Sequence, residues 1–181
     1  MRTGRKGGAL TRRQFVAVSA LGGAAAAIGC KAGSRGSWDF LSEAQAKTLG
    51  AICDQIVPAD QFPSATQAGV LGYIDRQLVR HYRRHQDAYR DGLEQAEQLS
   101  RKRFGKALDE TTSAQQTEVV ASIEEANRPF FDLVREHTLE GYYGSPRHGG
   151  NRDGVSWRML GLAEPPLHGR AQYDLGEGSH S

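Results

Sequence analysis

Cysteine is scarce in this chain. The 181 residues hold two, Cys30 and Cys53, which supply no disulfide framework. The Cys-x-x-Cys-His run that attaches a c-type haem is missing, and one cysteine in the body of the chain is too few for an iron–sulfur cluster. There is no P-loop, no Gly-x-Gly-x-x-Gly between a strand and a helix, and no Gly-x-Ser-x-Gly elbow. Segments with strand period and internal repeats are also lacking. Acid is missing from the beginning: five of the 23 Lys and Arg precede Cys30, with no Asp or Glu among them, and the rest are outnumbered by the 21 acidic residues. A mildly acidic body argues against nucleic acid as the main partner.

What stands at the N-terminus reads as an address. Thr11-Arg12-Arg13-Gln14-Phe15-Val16 matches the twin-arginine pattern, and the apolar run Phe15–Ile28 follows it. That run is within signal-peptide range and short of the roughly 20 residues that a spanning helix needs. It closes in Ala27-Ile28-Gly29-Cys30, which resembles a lipoprotein cleavage box with Cys30 as the acylated residue; the alanine run offers a rival cut that would release the protein. Acylation would tether the chain without a spanning helix. The expected destination is the periplasmic side of a bacterial inner membrane. The twin-arginine translocase carries folded proteins, so the signal calls for a cofactor inserted beforehand or a partner carried along.

The organisation expected is a signal segment over 1–30, a Gly/Ser linker over 31–37, a helical domain over 38–161 and a loose polar tail over 162–181. The fold class is all-α, an irregular bundle of about five helices followed by a long Gly/Pro-rich C-terminal loop region. Ser42 and Gln45 form a capping box ahead of Leu49, Ile52, Cys53, Ile56 and Val57, spaced as one apolar helical face and stopped by Pro58. Cys53 on that stripe reads as a core hydrophobe. A second helix is expected from about Thr66 to Tyr82 and a third from about Asp87 to Phe104. A fourth is expected behind a box of Ser113 and Gln116, and a fifth from Pro129 with Gly141 as its C-cap. A short turn over Val155–Leu160 carries Trp157.

Three features invite chemistry. His81 and His85 are four apart, a spacing that puts two ligands on one helical face, but no third ligand is evident. The basic run Arg76–Gln86 reads as a solvated face or as a surface for an acidic patch on another protein. The stretch Glu140–Gly154 combines Tyr142, Tyr143, Ser145, Pro146, His148, Gly149, Gly150 and Asn151. It offers no second catalytic group at a recognisable spacing. It reads as a glycine-hinged crossover that holds aromatics toward a partner, with Asn151 shaping the turn.

The order of motifs carries a resemblance. An opening helix ends in DQIVPAD (54–60); QAGVLGYIDRQL (67–78) follows; FFDLVREHTLEGYYGSPRHGGN (130–151) and SWRMLG (156–161) close the series. The chain thereby resembles the gluconate 2-dehydrogenase subunit 3 family over about 38–161, with the Tyr143–Trp157 stretch the most specific part. Ser145 and His148 depart from that family's pattern. The resemblance implies a small subunit, without a cofactor of its own, that pairs with a large FAD-dependent dehydrogenase of the glucose–methanol–choline type. It also implies that a cytochrome c subunit often completes the complex. The flavin would belong to the large subunit and the small one would assist its maturation and export. No catalytic, cofactor or metal residue is assigned to this chain. Tyr142, Tyr143, Pro146, His148, Gly149, Gly150, Asn151 and Trp157 are the partner-interface candidates, Arg12 and Arg13 the signal residues and Cys30 the lipidation candidate. Two other readings remain open: a subunit that contributes to catalysis through the His148 loop, and a lipid-tethered periplasmic scaffold with no redox partner.

Overall fold

The computed structural model describes residues 37–162; Arg12, Arg13, Cys30 and the tail from Ala163 lie outside them. Among the described residues there is no strand. Six α-helices follow one another: α1 Glu43–Ile56, α2 Val70–Leu78, α3 Gln86–Phe104, α4 Ser113–Ala126, α5 Arg128–Tyr143 and α6 Val155–Met159, with short 3-10 turns between several of them. The all-α expectation holds.

Helix α1 starts as read. Ser42 accepts from the Gln45 amide, the Gln45 side chain accepts from the Ser42 amide, and Leu41 is buried just ahead of them. Its inner face packs against α3, α4 and α5. Leu49, Ile52 and Cys53 sit there with Val70, Ile74 and Leu78 of α2, Leu93 and Ala96 of α3, Val119 and Ile123 of α4, and Phe130 and Val134 of α5. Cys53 is fully buried, and burial, opposed by a contact with the Thr138 hydroxyl, pushes its thiol up to about 12. It is an inert core thiol.

Three local expectations are corrected. The fourth helix is capped one residue earlier than the sequence suggested: Thr112 and Gln115 form the box. Gln116 instead reaches the carbonyls of Leu108 and Thr111. The second helix is shorter than Thr66–Tyr82. Asp54 takes both the amide and hydroxyl of Thr66, at 2.8 and 2.7 Å, and fixes a turn that ends at Gly69 with φ +84. At the other end the Gln86 side chain donates through Nε2 to the Leu78 carbonyl at 2.8 Å. Gly141 is not a C-cap. Helix α5 runs past it to Tyr143 with Gly144 at the C-cap position, and a Cβ on Gly141 would lie 2.8 Å from the ring of Tyr73.

One buried acid organises the entry to the domain. Asp75, 3 % exposed, accepts three consecutive amides: Asp39 at 2.6 Å, Phe40 at 3.0 Å and Leu41 at 2.9 Å. A carboxylate has enough lone pairs to hold three donors, and hydrogen bonds to a charged group are the stronger kind. Asp75→Asn turns one acceptor into a donor that faces an amide. The expected cost is about 2 kcal/mol, read as a lower urea midpoint at unchanged m-value.

Candidate partner-binding face

The chain leaves α5 at Gly144, makes a 3-10 turn over Pro146–His148, and passes Gly149 at φ +92. It then folds back onto the helix it has just left. A Cβ on Gly150 would lie 2.1 Å from the carbonyl oxygen of Gly141. Since φ at Gly150 is outside the left-handed region, the demand for glycine there is steric: two backbones touch where neither residue has a side chain. Asn151 follows in the left-handed conformation at φ +42, a setting asparagine tolerates. Its side chain closes the loop by donating to the Gly144 carbonyl at 2.8 Å and accepting from the Ser156 amide at 2.9 Å. Asn151 is fully buried; its bond to the Ser156 amide is buried and its bond to the Gly144 carbonyl half-buried. A second staple runs outside the first: the Trp157 indole donates to the Tyr143 carbonyl at 3.0 Å.

The same loop is tied to the turn before α2. The Arg152 amide donates to the Ala68 carbonyl at 2.8 Å, and the Tyr142 hydroxyl donates to the Pro63 carbonyl at 2.7 Å. Arg76 donates to the His148 carbonyl at 3.3 Å. The 67–78 and 142–151 stretches, far apart in sequence, therefore form one docked unit.

The structure sorts the interface candidates. Tyr143, His148 and Gly149 are exposed, and Pro146 and Trp157 are half-buried. Tyr142, Gly150 and Asn151 are buried and are corrected from surface to scaffold: Tyr142 fills the core between α5 and the 63–69 turn. The exposed large apolar side chains among the described residues are Leu139, Tyr143, Leu160 and Leu162. Leu139 and Tyr143 are one helical turn apart, so they share a face of α5. With Trp157 beside Tyr143, they give this end of the molecule an apolar edge. Scattered single leucines would need no explanation, but clustered ones mark contact surfaces.

The same end of α5 carries a polar aromatic cluster that the sequence reading missed. The Tyr73 and Tyr82 hydroxyls are 2.9 Å apart, and both reach the Glu140 carboxylate. The Tyr82 ring stacks on His137 with centroids 3.7 Å apart and planes at 2°. His137 Nδ1 is 2.9 Å from the Tyr89 hydroxyl. Burial holds His137 down at about 4, with the charges of His85 and Arg84 adding to the effect and Glu140 opposing it. Burial also raises Tyr73, Tyr82 and Tyr89 above the ordinary tyrosine range. At neutral pH the imidazole and the three phenols are thus uncharged, a pattern of satisfied interior groups rather than of a poised base.

His81 and His85 diverge. His81 is exposed, whereas His85 accepts from Arg84 at 2.9 Å and packs edge-on against Tyr82 and His137. Among the described residues no three His, Cys, Asp or Glu are grouped to hold a metal ion. Nor does any described helix have the length and apolarity to cross a membrane.

A family model described as gluconate 2-dehydrogenase subunit 3 matches residues 43–163, more than half of the chain. The chain belongs to that family and is, by its family, a subunit of a dehydrogenase complex. No curated protein and no solved structure matches it.

Proposed function

We propose that this chain is a non-catalytic small subunit that binds and escorts an exported FAD-dependent dehydrogenase of the glucose–methanol–choline type, acting on a sugar or sugar acid. The observation that carries the reading is the pairing of family membership over residues 43–163 with the pattern Thr11-Arg12-Arg13-Gln14-Phe15-Val16, which reads as a twin-arginine leader. A folded-export signal on a dehydrogenase subunit needs a passenger, and the flavin-bearing subunit is the natural one. The loop from Gly144 to Trp157 supports the role physically. It is braced at both ends by Asn151 and Trp157 and presents Tyr143, Pro146, His148 and Gly149 on a rigid frame. A preformed surface binds at less entropic cost than a floppy one. The complex would work on the periplasmic side of the inner membrane, held there by acylated Cys30 or by a cytochrome c subunit, with the twin-arginine translocase as a transient partner.

Co-expression tests this. The tagged chain, colourless alone, should pull down a large subunit with a flavin absorbance spectrum. Arg12→Lys with Arg13→Lys should leave both subunits in the cytoplasm, and dye-linked dehydrogenase activity in the periplasmic and membrane fractions should fall at least tenfold. Purification of this chain alone with a stoichiometric redox cofactor, or normal export of the flavin subunit beside the double-lysine leader, would sink the proposal.

A further inference from the structure

Two guanidinium groups converge on Gly149. Arg76 reaches across from α2 to the His148 carbonyl, and it lies so close that a Cβ on Gly149 would be 1.4 Å from its Nη2. Arg152 lies near the Gly149 carbonyl. Its Nη2 is 3.6 Å from where a Cβ on Gly69 would lie, and that position is 3.3 Å from the Gly149 carbonyl oxygen. Arg147 is exposed on the same turn.

Arg90, Arg101, Arg128 and Arg135 each form an ion pair along their own helix. These three arginines, like Arg80, Arg83, Arg84, Arg103 and Arg158, have no ion pair among the described residues; what sets them apart is that they meet around one turn. Asp75, the acid next to Arg76, is occupied by three backbone amides. The cluster continues the basic run Arg76–Gln86, in a domain where acidic residues outnumber basic ones over residues 37–162.

We infer that Arg76, Arg147 and Arg152 form a carboxylate-binding face that receives an acidic segment of the flavin-bearing subunit, next to the apolar edge of Tyr143 and Trp157. The inference rests on the escort reading and gives that partner's contact surface a chemistry. Guanidinium forks match carboxylates in a paired, planar geometry. Arginine beside tyrosine and tryptophan is the composition of protein–protein anchor points. A protein is favoured over an anionic membrane as the occupant because the net acidic remainder of the domain would be repelled by such a surface.

Binding of the purified chain to the flavin-bearing subunit at 50 and 500 mM salt tests this. Arg147→Glu with Arg152→Glu should weaken binding at least tenfold at low salt, with the gap narrowing at high salt as screening shortens. Lys102→Glu with Arg103→Glu makes the same change in net charge at the far end of α3 and should weaken it less than twofold. Circular dichroism and thermal melting check that both variants fold; if the first does not, exposed Arg147→Gln alone should still cost about threefold. Equal weakening by the two double variants, or none by either, overturns the inference while leaving the escort reading intact. Wild type that binds no flavin subunit at either salt overturns both. Loss of binding to phosphatidylglycerol vesicles by Arg147→Glu with Arg152→Glu, at unchanged affinity for the flavin subunit, overturns the inference in favour of a lipid surface.

Discussion

Asn151→Ala should lower the stability of the helical domain by about 2–5 kcal/mol. Two terms add. The change orphans the Gly144 carbonyl and the Ser156 amide, which are bound only at 2.8 and 2.9 Å through the Asn151 side chain. A buried group left without its partner costs about 1–3 kcal/mol. Alanine at φ +42 then adds up to about 1 kcal/mol, because asparagine tolerates the left-handed region better than alanine does. Urea unfolding reads the sum, and proteolysis at Gly144–Gly150 reads the local opening. Ser156→Ala is the control at the same site: its hydroxyl is buried without a partner among the described residues, so its loss should be near neutral. Gly150→Ala should open the loop by another route, because the added methyl meets the Gly141 carbonyl oxygen at 2.1 Å and backbone cannot step aside. Gly105→Ala meets nothing within 4 Å and carries only its φ of +70, so about 1 kcal/mol is expected there. Asn151→Ala that costs no more than Ser156→Ala would show that the loop is not held by this side chain.

These residues also mark where sequence reasoning stopped. Local signals were legible: the Ser42–Gln45 box and the apolar stripe of Leu49, Ile52 and Cys53 are set by neighbours within one or two turns. The box at α4 slipped by one because Thr111-Thr112-Ser113 and Gln115-Gln116 allow two registers. The choice is made by Gln116, whose side chain is taken by the Leu108 and Thr111 carbonyls. Gly141 looked like a helix end because late glycines commonly are; its real reason is the ring of Tyr73, brought from another helix. Asp75 was invisible because its three amides are 34 to 36 residues away. Tyr142 was different, because a signal for it existed. Phe130, Val134 and Thr138 lie four apart on the buried face of α5, and one more step of four puts Tyr142 inside and Tyr143 out. Adjacent helical residues point about 100° apart, so Tyr143 turns outward where Tyr142 turns in.

Acid should destabilise this domain through His137. The ordinary histidine value is about 6.5, whereas burial holds the folded value at about 4. Between these limits the unfolded chain takes up a proton that the native imidazole refuses, so stability falls as pH drops from about 6.5 toward about 4. Above that window the neutral form is present in both states and the term is fully favourable; below it the native ring also protonates and the loss levels off. At about 1.4 kcal/mol per pH unit the total is about 3 kcal/mol. Carboxylates add their own acid response, so the test is a difference. Tyr89→Phe with His137→Phe replaces both partners of the 2.9 Å bond by apolar rings, which leaves neither polar group stranded and should change stability little at pH 7. At pH 4.5 the double variant should have lost about 2–3 kcal/mol less than wild type. Tyr89→Phe alone leaves Nδ1 unpartnered, costs about 1–3 kcal/mol at pH 7 and keeps the acid response. Parallel stability–pH curves for wild type and the double variant would overturn the assignment. The location gives the effect a direction. His137 stacks under Tyr82, and Tyr82 with Tyr73 holds Glu140, one helical turn before Gly144. Protonation at His137 therefore loosens first the end of α5 from which the partner-binding loop departs, so amide exchange at 140–151 should quicken in acid before that of α1.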